Sequence, residues 1–218
     1  GIFNKHERLK FSPGVKFLYS NLGYVLLGQL IEQVSGQSYE AYVKAAILDK
    51  ISIAKQDLDF VIDAAVHAKG YQQYWSFTNA ILGVLIDKNK YMAEREGKWQ
   101  PFRNFYVKGT SYGGMIGSAK GLIRYAQALL DKTYPLLDEA YWKILFTEAR
   151  AAGRLTGMSL SWFTGTLKGN RYYAHAGGGG GYYVELRLYP ELGVGSVVLN
   201  NRTGMRDERM LDKTDGYF

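Results

Sequence analysis

Hydrophobic residues recur at helical spacing through the first three quarters of the chain. One apolar stripe predicts a helix over Leu22–Val34, which Asn21 can cap and Gly36 can end. We expect this helix to be largely buried. A second helix is predicted directly after Ser38, which can serve as its N-cap. Further helices are predicted over Ala80–Ile86, after Ser118 and over Asp138–Phe146.

Between residues 57 and 108 the periodic signal is weaker. Apart from the short apolar stretch Ala80–Ile86, this segment has no clear period. The stretch Lys88–Trp99 is polar, and we interpret it as a surface loop.

After Gly157 the pattern changes to the alternation that is typical of β-strands. Short turn signals join the successive strands, so neighbours must be antiparallel. The predicted strands are Ser159–Leu167, Arg171–His175, Tyr182–Tyr189 and Val194–Asn200. Helices followed by an antiparallel meander indicate an α+β fold, with one antiparallel sheet flanked by helices. We expect a single domain over residues 1–218, with a mainly helical part over 1–156 and a sheet over 157–201.

Composition narrows the function classes. The chain has 218 residues, 47% of them hydrophobic and 22% charged, which fits a folded globular protein. The formal net charge is +7, but the basic residues cluster only around Lys5–Lys10, so we expect no nucleic-acid partner. There is no cysteine, which excludes disulfides, thiolate metal sites and thiol nucleophiles. No metal or other cofactor is predicted.

The chain shows neither a membrane span nor a signal peptide. Its longest apolar stretches, Tyr24–Ile31 and Ala80–Ile86, are too short to cross a bilayer. Gly1–Lys10 is polar and basic and lacks the apolar core of a signal peptide.

Three short patterns carry candidate chemistry. The first is Phe11-Ser12-Pro13-Gly14 with Tyr19-Ser20-Asn21, directly before the first apolar helix. The second is Tyr112-Gly113-Gly114-Met115, ahead of the helix that Ser118 opens. The third is His175-Ala176-Gly177-Gly178, which enters a strand that turns at Pro190. Each pattern alone is equally well explained by a structural role. Tyr19 could pack against the start of the helix, and the glycines could form a flexible loop.

In this order, the three patterns resemble the class C β-lactamase-related and penicillin-recognising serine hydrolases, over nearly the whole chain. The resemblance implies an acyl-enzyme mechanism without a cofactor. It assigns Tyr19 to relay the proton of a nucleophilic serine and Asn21 to contact the catalytic lysine and the substrate. His175 matches the first residue of the third motif. The N–H of Gly178 matches one half of the oxyanion hole, with Gly177 beside it on the substrate-binding edge.

Two departures from the family pattern matter. The third motif is His-Ala-Gly where typical β-lactamases have Lys-Thr-Gly, and histidine there resembles the peptidases and esterases of the family. The nucleophile of the family lies in Ser-x-x-Lys, several dozen residues upstream of the tyrosine, but only 18 residues precede Tyr19. Ser52-Ile53-Ala54-Lys55 follows the motif that it should precede, so we interpret it as a chance match. We therefore expect a domain that is incomplete at its N-terminus and inactive alone. We also expect exposed apolar surface where the missing helix would pack.

The resemblance implies small-molecule or peptide acyl substrates: acyl esters, D-amino-acid peptides or β-lactams. It also implies a place in the cell envelope, periplasmic or secreted, and leaves the oligomeric state open. One alternative is a non-catalytic penicillin-recognising sensor or scaffold. The other is an α/β-hydrolase esterase with Ser111 as nucleophile, because Gly109–Gly113 fits Gly-x-Ser-x-Gly and His175 lies downstream. The first reading predicts one cleft for Tyr19, Asn21, His175 and Gly178, with Ser52 and Ser111 away from it.

Overall fold

A computed structural model describes residues 9–131, 136–203 and 209–218. The basic cluster around Lys5–Lys10 therefore lies mostly outside the described residues. The α-helices are α1 Asn21–Ser35, α2 Tyr39–Val43, α3 Phe77–Leu85, α4 Lys88–Tyr91, α5 Ala119–Leu130, α6 Glu139–Phe146 and α7 Leu211–Thr214, and one π-helical turn, Lys44–Leu48, continues α2. The short strands are β1 Leu58–Asp59, β2 Tyr71–Gln73, β3 Trp99–Pro101, β4 Ile116–Gly117, β5 Arg150–Ala151 and β6 Arg154–Leu155.

The four long strands form one antiparallel sheet. They are β7 Phe163–Leu167, β8 Asn170–Gly179, β9 Tyr182–Tyr189 and β10 Val194–Asn200. Their order is β10-β9-β8-β7, and every neighbouring pair is antiparallel. The predicted α+β class and the single antiparallel sheet are confirmed.

Two strand boundaries differ from those predicted. β7 begins at Phe163 rather than Ser159, because Ser161 has a φ of +68° that interrupts the extended run and the Ser159 N–H donates to the Trp162 carbonyl in a tight turn. β8 does not end at His175 but continues through Gly179, paired in register with β9 as far as Tyr182. The first three glycines, 177–179, therefore extend a strand and do not form a flexible loop.

Helix boundaries follow the predicted caps except at α1 and α3. Ser20, not Asn21, caps α1, since its Oγ accepts from the Gly23 N–H at 3.2 Å. Asn21 is consequently the first helical residue. Gly36 ends α1 in the left-handed conformation, as predicted. α3 begins at Phe77 rather than Ala80 because Ser76 caps it.

Two further predictions differ from the structure. The polar stretch Lys88–Trp99 is not a simple loop, since it holds the single turn of α4 and the first residue of β3. The expectation that Leu22–Val34 is largely buried is also wrong. Leu27 is 55% and Val34 80% exposed, and Gly28 is the buried residue of α1. One side of α1 packs on the 3₁₀ turn Thr110–Tyr112, and no described element covers the apolar stripe opposite.

The two faces of the main sheet are covered differently. On one face, Ala126 and Leu129 of α5 pack with Leu186 and Leu188 of β9 and with Phe146. A second apolar cluster lies under α2 and the π turn and contains Val43, Leu48, Ile53, Leu58 and Phe60. None of the helices in the described ranges has the length and apolar character that a membrane span needs.

The C-terminal segment 209–218 covers the other face through buried polar contacts. Arg187 of β9 is 1% exposed, and its guanidinium lies 2.6 Å from both Glu185 Oε1 and Asp212 Oδ1. The Tyr189 hydroxyl donates to Asp215 Oδ2 at 2.9 Å, and the Ser196 hydroxyl donates to the same oxygen at 2.6 Å. This polar layer holds the end of the chain against the sheet that carries the candidate site.

Candidate active site

Tyr19 and His175 lie together beside the first residue of β7. Tyr19 is in the extended segment just before α1, and its ring centroid is 6.1 Å from that of His175 in β8. The Phe163 ring lies within 6.2 Å of the Tyr19 ring and 6.1 Å of the His175 ring. Residues 156 positions apart (175 − 19) thus meet on one surface.

The main chain of Ser161 orients the His175 ring. The Nδ1 atom lies 2.5 Å from the Ser161 carbonyl oxygen. Because a carbonyl can only accept, Nδ1 carries the proton, and the neutral ring has its acceptor lone pair on Nε2. The Tyr24 hydroxyl donates to Ser161 Oγ at 3.0 Å and steadies the same turn. Sequence reasoning missed Ser161 and Tyr24, because nothing local signals the left-handed φ at Ser161.

The Tyr19 phenol is protonated at neutral pH in this environment. Burial, and to a lesser extent the neighbouring Tyr24, raise the pKa of Tyr19 above its usual value. A phenol accepts a proton only as the phenolate, so it can serve as a base only where a cation lowers its pKa. The described residues provide no such shift at Tyr19.

One edge of β8 is open beside this pair. The pairing of β7 with β8 ends at Phe163 opposite Ala174, whereas β8 continues to Gly179. Alternate residues of a strand direct their N–H and C=O groups to opposite edges, so the segment after Ala174 presents backbone donors that β7 does not use. A Cβ built on Gly177 or Gly179 would meet nothing within 4 Å, and one on Gly178 would make ordinary contacts with residues Tyr182 and Tyr183. These three glycines leave the edge accessible.

The last two glycines of the run have a different role. Gly180 and Gly181 have φ of +59° and +88°. A Cβ on Gly180 would lie 2.8 Å from Phe105 Cζ, and one on Gly181 would lie 2.3 Å from the Gly70 carbonyl carbon. This turn therefore packs the end of β8 closely against Phe105 and against the backbone of Gly70, just before β2.

We expect Gly180→Ala to destabilise the fold more than Gly193→Ala does. Gly193 also has a positive φ, +67°, but a Cβ there would meet nothing within 4 Å. Both substitutions carry the left-handed strain of about 1–2 kcal/mol, and the contact with Phe105 adds about 1–3 kcal/mol at Gly180. Midpoints of urea unfolding at constant slope measure the difference. Equal losses would contradict the close packing on Phe105.

Asn21, Ser52 and Ser111 occupy different surroundings. Asn21 is exposed on the first turn of α1, two residues after Tyr19. Ser52 is exposed in a turn after the π segment, with φ of +53°. Ser111 packs against the middle of α1, where a Cβ on Gly28 would clash with its Oγ. The His175 ring is hydrogen-bonded to the Ser161 carbonyl and not to Ser111, and the sheet is antiparallel, which contradicts the α/β-hydrolase alternative.

The beta-lactamase family profile matches residues 3–215 of the sequence. This chain belongs to the beta-lactamase family. The resemblance seen in the three sequence patterns is thereby confirmed. A D-amino acid amidase of Ochrobactrum anthropi has the same fold, with a TM-score of 0.68 and 16% identity, and the alignment covers 92% of this chain and 56% of that one.

Similar proteins agree with that assignment at the level of fold. The penicillin-binding protein of Bacillus halodurans has a TM-score of 0.71 and 23% identity, and the alignment covers 98% of this chain and 60% of that one. A class C beta-lactamase has a TM-score of 0.66 and 19% identity, with 95% and 59% covered. A putative D-alanyl-D-alanine carboxypeptidase of Escherichia coli is 42% identical over 43 residues, which are 20% of this chain and 10% of that protein. The chain spans less than two thirds of the length of these relatives.

Proposed function

We propose that this chain is the larger, C-terminal part of one serine hydrolase domain that works through an acyl-enzyme. The nucleophile is a serine in Ser-x-x-Lys upstream of residue 1. The observation that supports this most directly is the 6.1 Å separation of the Tyr19 and His175 rings beside the open edge of β8. A nucleophilic serine needs a proton acceptor and hydrogen-bond donors for the oxyanion. Tyr19 and the backbone N–H groups at the open edge of β8 are the candidates for these two roles.

In the proposed mechanism, the serine hydroxyl attacks the acyl carbonyl while its proton passes to the Tyr19 phenolate. The Tyr19 phenol then gives this proton to the departing alkoxide or amine as the acyl-enzyme forms, and water hydrolyses the acyl-enzyme to the free acid. The lysine of the upstream motif lowers the pKa of Tyr19, which burial alone raises. Asn21 contacts that lysine and the substrate. The Gly178 N–H donates to the oxyanion. His175 is protonated on Nδ1 and directs its Nε2 toward the route by which the serine proton reaches Tyr19.

The proposed substrates are acyl esters, D-amino-acid peptides and β-lactams. The carboxypeptidase-like relative and the His-Ala-Gly motif favour esters and peptides over a dedicated β-lactamase. Lysine offers a fixed positive charge for a substrate carboxylate, whereas neutral His175 offers no charge and uses its one N–H on the Ser161 carbonyl. We place the whole protein in the cell envelope, which fits such substrates.

We expect the 218-residue chain to show no covalent labelling by a fluorescent penicillin and no turnover of a chromogenic ester. The chain extended to its natural start should be labelled at the serine of Ser-x-x-Lys, because only then does the proton relay have a nucleophile to serve. Intact-mass and peptide mass spectrometry locate the label. The control is the extended chain with that serine changed to alanine.

Each other outcome of this experiment has a definite reading. A label on any serine within the 218 residues, abolished by mutating that serine, would mean that the nucleophile is misplaced. An extended chain without Ser-x-x-Lys that binds a penicillin without covalent labelling would establish the sensor alternative instead.

A further inference from the structure

A cavity of about 690 Å³ opens beside the glycine end of β8. Gly178, Gly179 and Gly180 form one side of it. The other walls come from α3 and from the segment 102–108. Ligand pockets in proteins commonly measure about 300–1,000 Å³, so the space suits a sizeable organic group.

α3 presents one of its two apolar faces to this cavity. Thr78, Leu82 and Ile86, spaced four residues apart, line it. The other face of the helix, which carries Val84, is directed to solvent, and Val84 is 87% exposed. The two faces of one helix therefore offer a matched pair of positions, one inside the cavity and one outside it.

The remaining walls are aromatic and carry positive charge but no negative charge. Tyr91, Phe102 and Phe105 contribute aromatic surface. Lys108 and Arg202 also line the space, and the Arg202 guanidinium is held 4.9 Å from the Trp99 ring centroid. No Asp or Glu is among the described residues that line it. Such walls accept apolar groups and disfavour a cationic one.

The cavity begins where the proposed oxyanion donor lies. Gly178 is both a wall of the cavity and the residue whose N–H would hold the oxyanion. His175 is three residues away along the same strand, which is about 10 Å at the rise of a β-strand. A carbonyl held at Gly178 can thus direct one substituent toward His175 and Tyr19 and the other into the cavity.

We propose that this cavity binds the acyl substituent of the substrate and selects medium-chain or aryl-substituted acyl groups over acetyl and over cationic groups. This inference rests on the proposed function, because it assigns the substrate class of the same site. It also predicts a simple binding property that does not need catalysis: affinity for a medium-chain carboxylate.

The first test compares Leu82→Trp with Val84→Trp in the extended chain. Leu82→Trp fills the cavity, whereas Val84→Trp adds the same side chain to the exposed face of α3. The substrates are 4-nitrophenyl acetate and 4-nitrophenyl octanoate. Burial of each methylene group strengthens binding by about fourfold. We therefore expect kcat/KM for 4-nitrophenyl octanoate to exceed that for 4-nitrophenyl acetate by about tenfold or more.

Leu82→Trp should bring the ratio of kcat/KM for the octanoate ester to that for the acetate ester close to one, because the indole occupies the space that the octanoyl chain needs. Val84→Trp should leave both values unchanged. A wild-type enzyme that does not distinguish the two esters, or equal effects of the two tryptophans, would overturn the proposal.

The second test separates the cavity from catalysis. Calorimetric titration of the same proteins with octanoate and with octylammonium measures binding alone. We expect octanoate to bind, octylammonium to bind at least about tenfold more weakly, and Leu82→Trp but not Val84→Trp to weaken octanoate by about tenfold. Failure to bind octanoate would overturn the cavity assignment. Binding with this pattern in a protein that hydrolyses neither ester would uphold the cavity and reject the proposed hydrolase.

Discussion

Replacing Tyr19 with phenylalanine in the extended chain should slow acylation by about 10²- to 10⁴-fold, the range that general acid–base groups contribute. The change removes one oxygen atom and keeps the ring. The ring contacts of Tyr19 with Phe163 and His175, at 6.2 and 6.1 Å between centroids, remain possible. The loss should therefore appear in the rate constant and not in the stability of the protein.

The measurement is the rate of covalent labelling by a fluorescent penicillin, followed under single-turnover conditions so that deacylation does not interfere. Tyr141→Phe is a matched control, since Tyr141 is 63% exposed on α6 and has no role in the proposed site. His175→Ala should slow labelling less than Tyr19→Phe does. In the proposed mechanism Tyr19 accepts the serine proton itself, whereas His175 only assists that transfer. Labelling by Tyr19→Phe within threefold of the wild type would remove Tyr19 from the relay.

Local signals predicted the hairpin of β9 and β10 without error. The alternating run Tyr182–Tyr189 and the turn that begins at Pro190 define both strands from sequence alone. The strand character of Gly177–Gly179 could not be predicted in that way. Glycine has a low intrinsic preference for strands, and its conformation here comes from pairing with β9. The open edge of β8 results from where its pairing with β7 and β9 begins and ends, which local sequence does not determine.

Burial was harder to predict than secondary structure. The period of apolar residues in α1 shows which face is apolar, but periodicity carries no information on whether a partner covers that face. Leu27 and Val34 accordingly stand exposed on a helix whose length was nearly correct. The periodic signal over residues 57–108 is weak because the short strands there pair with distant residues, as Leu58 does with Gly117. The walls of the cavity come largely from this segment.

The sequence predicted that Tyr19 and His175 lie together, but not which groups orient the His175 ring. Tyr19 and His175 were chosen from the order of the motifs, and the structure brings their rings together. The turn that holds His175 depends on the main chain of Ser161, whose left-handed φ no sequence rule favours. The order of the motifs thus singles out two residues that meet in the fold, and their catalytic roles stay predictions; the groups that orient them emerge only from the structure.

The largest stability effect that we expect is at Arg187. Changing Arg187 to methionine should lower the free energy of unfolding by about 3–5 kcal/mol, the cost of leaving a buried ionic partner without its counter-charge. Glu185 and Asp215 are each 3% exposed and would lose a neighbouring cation in the interior. The guanidinium also lies 4.5 Å from the centroid of the Tyr172 ring, a cation–π contact that is lost with the charge.

The matched control is Arg171→Met, which breaks an ion pair at 2.9 Å with Glu148; Glu148 is 13% exposed and keeps a hydrogen bond from the Gly157 N–H. Because the Arg171 side chain is 44% exposed, this loss should be about 0–1 kcal/mol. Urea unfolding of both variants in the extended chain, at pH 7 and with the slope checked for constancy, gives the two values. The double change Arg187→Met with Glu185→Gln should recover part of the loss, since it removes one stranded carboxylate. Arg187→Met and Arg171→Met with equal midpoints would mean that the polar layer under the C-terminal segment does not hold that segment to the sheet.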